Sequence, residues 1–147
     1  MEISIKTLII FGALLLTGLS AGFFYAWSVS VIPGTQKIND TNYLFTMQSI
    51  NRAIINPAFF LIFFGSIVLL GLATVTNFDT GSSVFWLFLA SSVAYLFGTL
   101  GVTGLGNVPL NDELEALNLS ELLPAGLTEF RKYYETKWNL SIIHNLR

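Results

Sequence analysis

The chain has 147 residues, of which 53% are hydrophobic and 11% are charged, and its formal net charge is −2. Soluble domains carry roughly 25% charged residues, and a small protein has too much surface to hide so apolar a chain from water. The composition therefore excludes an ordinary soluble domain. No basic patch indicates a nucleic acid partner, and the lack of cysteine excludes disulfides and thiolate chemistry.

Three apolar stretches predict helices that cross a lipid bilayer. They cover residues 7–32, 53–76 and 83–106, and each exceeds the ~20 residues that a spanning helix needs. Backbone groups in lipid need hydrogen-bond partners within their own segment, so these stretches must be helical. We therefore predict an all-α membrane protein with three transmembrane helices. Residues 1–147 form a single membrane domain, multi-pass in the cell membrane, with the lipid bilayer as its partner.

Small residues recur at four-residue spacing in two of these stretches. Gly18 and Gly22 lie in the first, and Ala90, Ala94 and Gly98 lie in the third. Faces of small residues let helix backbones approach closely in membranes. The pattern predicts helix packing within one chain, and a homo-oligomer interface is the alternative.

Two long polar connections follow the first and third predicted spans. If neighbouring spans are antiparallel, residues 33–52 and 107–147 emerge on the same side, which predicts a polar cap on one membrane face. The second connection begins with an extended turn at residues 107–112. It ends in a helix over residues 127–147, whose aromatic stripe predicts that it lies at the membrane interface. Most Lys and Arg residues fall on this side, so the positive-inside rule predicts that it is cytoplasmic.

The polar residues of these connections are candidates for chemistry. Arg52 offers a planar fork of donors that suits an anion or a carbonyl oxygen, and the alternative is an arginine that reaches from the interface to water. His144 is the only histidine. The carboxylates at Asp112, Glu113 and Glu115 lack the spacing of metal ligands, so we predict that His144 does not bind a metal.

Four parts of the sequence resemble a family of small membrane proteins that includes the fungal anthrone oxygenases. The resemblance rests on residues 21–27 with 31–34, residues 47–59 with the pairs Asn51-Arg52 and Asn56-Pro57, residues 107–114 with the motif Asn-Val-Pro-Leu-Asn, and a final part with Arg131, Trp138 and His144. Together these parts extend over nearly the whole chain.

The resemblance implies a four-helix membrane bundle that oxidises an anthrone to an anthraquinone with molecular oxygen. It implies no cofactor and no metal, because an anthrone carbanion reacts with oxygen once a base and a carbonyl-stabilising donor are in place. Asp112 or His144 then takes the proton. The implied substrate-binding side chains are Asn51, Arg52, Asn56, Asn107, Asn111, Arg131 and Trp138. The expected ligand is a lipophilic aromatic molecule, polycyclic or quinone-like.

Family members usually continue beyond the position of Arg147 into a fourth apolar span. Either this sequence is part of a longer chain, or the fourth helix is missing or supplied by a partner. A bundle of three helices leaves one face open and favours association, so the second hypothesis is a non-catalytic subunit that packs into a larger membrane protein complex. A closed pocket lined by Arg52, Asn111 and His144 favours the enzyme, whereas mutual hydrogen bonds among these side chains favour the subunit. We also predict that the Asn51, Arg52 and Asn56 group meets residues 107–112 in space.

Overall fold

The structure is a computed structural model that describes residues 4–78 and 83–145, without the side chains of residues 142–145. All regular elements in these ranges are helices, which confirms the all-α class. The α-helices are α1 (Ile5–Ala26), α2 (Ile32–Thr35), α3 (Asp40–Ile54), α4 (Pro57–Thr76), α5 (Ser83–Ala94), α6 (Val108–Glu115) and α7 (Pro124–Asn145). Three further segments are π-helical, namely Trp27–Val31, Tyr95–Gly101 and Thr103–Asn107.

Three helical runs are long and apolar enough to cross a membrane. They are Ile5–Thr35, Pro57–Thr76 and Ser83–Glu115, so the prediction of three spanning helices is confirmed. The prediction of an extended turn at residues 107–112 was wrong, because α6 continues directly from the third π-helical segment. Pro109 lies in the first turn of α6, directly after the π-helical segment.

Asparagine side chains cap the starts of α3 and α4. The side chain of Asn39 accepts a hydrogen bond from the backbone N–H of Asn42 (2.9 Å) at the start of α3. Asn56 caps α4 in the same way through the N–H of Phe59 (3.0 Å), and Pro57 follows the cap. Short polar side chains at this position satisfy donors that the helix itself leaves unpaired.

The chain forms two compact units, and the first consists of Met1–Phe23 with Asn56–Leu100. Its helices α1 and α4 approach each other at glycine. A Cβ atom on Gly12 would lie 2.8 Å from Leu69 Cδ1. The absence of a side chain there permits the close approach.

The contact predicted at Gly18 and Gly22 was wrong. A Cβ atom on either residue would meet nothing within 4 Å among the described residues. The close approach of α1 and α4 falls instead at Gly12 and at Gly65, where a Cβ atom would lie 2.8 Å from Leu16 Cδ1. Four-residue spacing identifies a helix face that carries small residues. Which glycine on that face lies at the contact depends on where the two helices cross.

Polar side chains inside the first unit are paired. The Tyr95 hydroxyl donates to the backbone carbonyl of Phe63 (3.0 Å) and lies 3.0 Å from Ser20 Oγ. Thr74 and Ser92 are joined by a hydroxyl contact of 3.1 Å between α4 and α5. Because hydrocarbon offers no hydrogen-bond partner, these pairs lower the cost of placing hydroxyl groups in apolar helices.

The second unit consists of Phe24–Ile55 with Gly101–Arg147, and it contains both long polar connections. Within it α3, α6 and α7 pack against one another. The inward face of α3 carries Tyr43, Leu44, Met47, Gln48 and Asn51, spaced as one face of a helix requires. The polar cap, the interfacial position of α7 and the single membrane domain remain predictions.

Candidate functional site

A line of hydrogen bonds joins four side chains inside the second unit. Asn51 Nδ2 donates to the Tyr134 hydroxyl oxygen (3.2 Å), and that hydroxyl donates to Asn111 Oδ1 (2.8 Å). Trp138 Nε1 donates to the same Asn111 oxygen (2.9 Å). The network therefore joins three predicted substrate-binding residues, Asn51, Asn111 and Trp138, with Tyr134 as the link between Asn51 and Asn111.

The helix geometry explains why these side chains meet. Tyr134 and Trp138 are four residues apart on α7 and so project from the same face. Asn51 ends the inward face of α3, and both Tyr134 and Trp138 are buried. Burial raises the pKa of the Tyr134 hydroxyl, because a phenolate is poorly solvated there. Tyr134 therefore acts as a neutral hydrogen-bond donor and not as a base.

An aromatic pair adjoins this network. The Trp138 ring packs against Trp27 with a centroid distance of 5.2 Å and an interplanar angle of 42°. Trp27 begins the first π-helical segment and is buried. π-Helical turns occur frequently at functional sites, and large aromatic faces suit flat ligands. In this structure the two rings pack against each other inside the second unit, since both residues are buried.

Asn107 lies beside the same helix. It is 4% exposed, and its Nδ2 is 3.5 Å from the backbone carbonyl of Trp138. Among the described residues, neither Asn107 Oδ1 nor Thr103 Oγ1 has a hydrogen-bond partner, although both atoms are buried. Sequence reasoning identified Asn107 and missed Thr103. The available signal was the position of Thr103, four residues earlier on the same helical run.

Arg131 is almost fully enclosed, with 11% of its side chain exposed. Its five N–H donors all have acceptors, which are Glu135 (3.1 Å), Asp40 Oδ1 (2.9 Å) and the backbone carbonyls of Ile38 (2.6 Å), Thr35 (3.4 Å) and Gln36 (3.4 Å). The guanidinium carbon also lies 4.5 Å from the centroid of the Tyr43 ring. Because all of its donors are paired, Arg131 ties α7 to the segment before α3. The role of Arg131 in substrate binding remains a prediction.

Arg52 has the opposite environment. Its Nε donates to both Glu115 carboxylate oxygens (2.8 and 3.0 Å), and 63% of the Arg52 side chain and 47% of the Glu115 side chain are exposed. Arg52 thus meets the end of α6, three residues beyond the predicted 107–112 segment. Asn51 reaches that segment through Tyr134 and Asn111, whereas Asn56 lies in the first unit as the cap of α4.

Comparison with known protein families shows the family to which this chain belongs. The sequence profile of the family described as anthrone oxygenase matches residues 59–142, more than half of the chain. The chain belongs to the anthrone oxygenase family. No curated protein and no solved structure matches it significantly. The matched segment includes five of the candidate residues, Asn107, Asn111, Asp112, Arg131 and Trp138, and excludes Asn51, Arg52, Asn56 and His144.

The two candidate bases of this anthrone oxygenase family member differ in what is known of their surroundings. Asp112 is exposed on α6, next in sequence to Asn111. The side chain of His144 lies outside the described residues. Within the described part of the chain, no three His, Asp or Glu side chains come together as metal ligands. The catalytic roles of Asp112 and His144, and the prediction that His144 binds no metal, remain predictions.

Two open grooves of about 440 Å³ each lie on the second unit of this family member, and none of the four network residues lines either of them. The first is polar and is lined by Gln36, Asp40, Thr128, Arg131, Lys132, Glu135, Thr136 and Asn139. The second follows the outer face of α3 and is lined by Phe45, Thr46, Ser49, Ile50 and Ala53. Ligand sites commonly have volumes of roughly 300–1,000 Å³. Among the predicted site residues whose side chains the structure describes, only Arg131 lines either of these two grooves.

Proposed function

We propose that this chain, as a protein of the cell membrane, binds a flat polycyclic lipophile such as an anthrone and promotes its oxidation by molecular oxygen. The family match carries the proposal, because it includes the buried Asn107 and Trp138 as well as Asn111 and Asp112. The three apolar spans support it, since a lipophilic substrate concentrates in the bilayer that surrounds them.

The proposed reaction needs one base and one oxygen molecule. The base removes a proton from the methylene carbon opposite the carbonyl, and the negative charge spreads onto the carbonyl oxygen. The carbanion forms a carbon–oxygen bond to molecular oxygen, which gives a hydroperoxide after protonation. Loss of the second methylene proton and cleavage of the oxygen–oxygen bond then release one water and leave the quinone. The substrate supplies all four electrons, so the scheme uses no cofactor.

The proposed roles follow from side-chain chemistry. Asp112 is the proposed base, with His144 as the alternative, because a carboxylate or imidazole can take the methylene proton. Arg52 is the proposed donor to the developing enolate oxygen, where a positive charge stabilises the negative charge of the transition state. The Trp27 and Trp138 pair supports stacking of the ring system.

Oxygen uptake by the purified protein in lipid nanodiscs tests the proposal. With anthrone as substrate, we expect protein-dependent formation of anthraquinone with one oxygen molecule consumed for each quinone formed. Asp112→Asn should lower the rate by about 10²-fold or more, the scale of general-base catalysis. Glu113→Gln, a neighbouring exposed carboxylate, is the matched control. A rate equal to that of empty nanodiscs contradicts an enzymatic function.

A specific observation also favours the second candidate function, a non-catalytic subunit of a membrane complex or homo-oligomer. Arg131 has an acceptor for each donor, and Asn111 Oδ1 already accepts two hydrogen bonds. Side chains whose hydrogen-bonding groups are already paired hold α3, α6 and α7 together and leave few donors or acceptors for a substrate. Co-purification from a native membrane after mild solubilisation, with no anthrone turnover, supports this function over the enzyme.

A further inference from the structure

Two buried oxygen atoms in the third π-helical segment have no hydrogen-bond donor among the described residues. They are Thr103 Oγ1 and Asn107 Oδ1. A buried polar atom without a partner is rare in folded proteins, because it has lost its water without gaining a replacement. Each such atom therefore requires an explanation, and here two occur four residues apart on one helical run.

Other threonines in the apolar helices behave differently. Thr17, Thr74 and Thr76 donate their hydroxyl groups to the backbone carbonyl four residues earlier, at 2.6, 2.9 and 2.8 Å. This bond is the usual way in which a threonine is accommodated in an apolar helix. Thr103 opens a π-helical segment, in which the backbone bonds span five residues and the preceding turn is wider. Its hydroxyl is left without the usual acceptor.

The π-helical segment that carries the two oxygens packs against α7. The Asn107 amide nitrogen is 3.5 Å from the backbone carbonyl of Trp138, and the Trp138 ring packs on Trp27. Between the two oxygens in sequence, Gly106 faces α7 so closely that a Cβ atom there would lie 2.8 Å from Ser141 Oγ. Asn107 Oδ1 can accept a hydrogen bond from a neutral hydroxyl group, and the Thr103 hydroxyl can donate one to it, so the two side chains together suit a hydroxyl group carried by a flat apolar molecule.

We propose that Thr103 Oγ1 and Asn107 Oδ1 form a subsite that binds a hydroxyl group of the polycyclic ligand. This inference rests on the proposed function and adds a specificity to it, namely a preference for hydroxylated over unsubstituted rings. Because both oxygens are sealed from solvent in this structure, binding includes a local opening of the π-helical turn. The ligand hydroxyl then donates its proton to Asn107 Oδ1 and accepts a hydrogen bond from the Thr103 hydroxyl.

Paired quinone probes test the subsite without turnover. The probes are anthraquinone and 2-hydroxyanthraquinone, titrated at a pH where the phenol is neutral, with tryptophan fluorescence quenching in nanodiscs as the readout. For the native chain we expect the hydroxylated probe to bind about 5–10-fold more tightly, the ratio that one neutral hydrogen bond supplies. Thr103→Val and Asn107→Leu each remove one of the two hydrogen bonds to the ligand hydroxyl at nearly constant volume and should lower the ratio toward one.

Thr76→Val is the matched control, because its hydroxyl is already bonded to the Leu72 carbonyl, and it should leave the ratio unchanged. If Asn107→Leu does not fold, Thr103→Val decides alone, since it preserves the shape of the side chain. Equal affinity of the native chain for both probes, or an unchanged ratio in the variants, overturns the subsite and leaves the proposed function standing. Binding of neither probe overturns the proposed function itself.

Discussion

The guanidinium of Arg131 lies 2.9 Å from Asp40 Oδ1, and this ion pair joins the middle of α7 to the first residue of α3. The second Asp40 oxygen accepts a hydrogen bond from Thr128, one turn earlier on α7. A carboxylate at the start of a helix also interacts favourably with the helix dipole. The segment between α2 and α3 is thereby fastened to α7 by one arginine.

Arg131→Lys should destabilise the protein. An ammonium group has three donors without the planar fork, so at least two of the five acceptors lose their partner. We expect a loss of about 1.5–3 kcal/mol in the free energy of unfolding, the scale for hydrogen bonds to a charged group. Thermal unfolding in detergent measures it. An unchanged melting temperature contradicts the structural role of Arg131.

Arg52→Lys is the matched substitution at an exposed site. Its ion pair with Glu115 is largely solvated, and such pairs contribute at most about 1 kcal/mol. Stability should therefore hardly change. If Arg52 binds the substrate oxygen, affinity for anthraquinone falls by about 1.5–3 kcal/mol at constant stability. Loss of both stability and binding shows instead that Arg52 holds α3 against α6.

Tyr134→Phe should weaken the packing of three helices at once. The Tyr134 hydroxyl is the bridge between Asn51 on α3 and Asn111 on α6, and its removal leaves the buried Asn51 amide without this acceptor. We expect a loss of about 1–3 kcal/mol in the free energy of unfolding. Tyr43→Phe is the control, because the structure assigns its hydroxyl no hydrogen bond to a described residue. Equal effects of the two substitutions contradict the bridging role.

The stability of the second unit should fall at acidic pH through Asp40. The Thr128 hydrogen bond, together with the Arg131 charge, holds the pKa of Asp40 below its ordinary value of 3.8. A carboxyl group whose pKa is lower in the folded state than in the unfolded state stabilises the protein at pH values above the unfolded-state pKa. This stabilisation is lost as the pH falls through the folded-state pKa. The melting temperature of the native chain should exceed that of Asp40→Asn at neutral pH.

This difference between the native chain and Asp40→Asn should shrink once the pH falls below 3.8. Thr128→Val should reduce the difference at neutral pH, because it removes the first cause of the shift. Melting temperatures recorded from neutral to acidic pH check both expectations. A difference that stays constant over this range shows that Asp40 stabilises α3 without its charge.

The sequence by itself determined the class of the protein. Long runs without ionisable residues require a bilayer, and hydrocarbon leaves no alternative to helices with internally paired backbone groups. The Asn56-Pro57 pair likewise predicted a helix start, because capping chemistry is local. Family motifs in the sequence predicted the anthrone oxygenase relationship that the profile match confirmed.

Only the tertiary structure decided which polar residues have partners. Arg52 near the end of α3 and Arg131 in α7 are the same residue type, yet one is exposed beside Glu115 and the other is enclosed by five acceptors. The sequence also gave no sign that Thr103 lies in a π-helical turn. Asn51 and Tyr134 are 83 residues apart in the chain, and contacts at such separations depend on how helices pack, which local spacing and propensity do not encode.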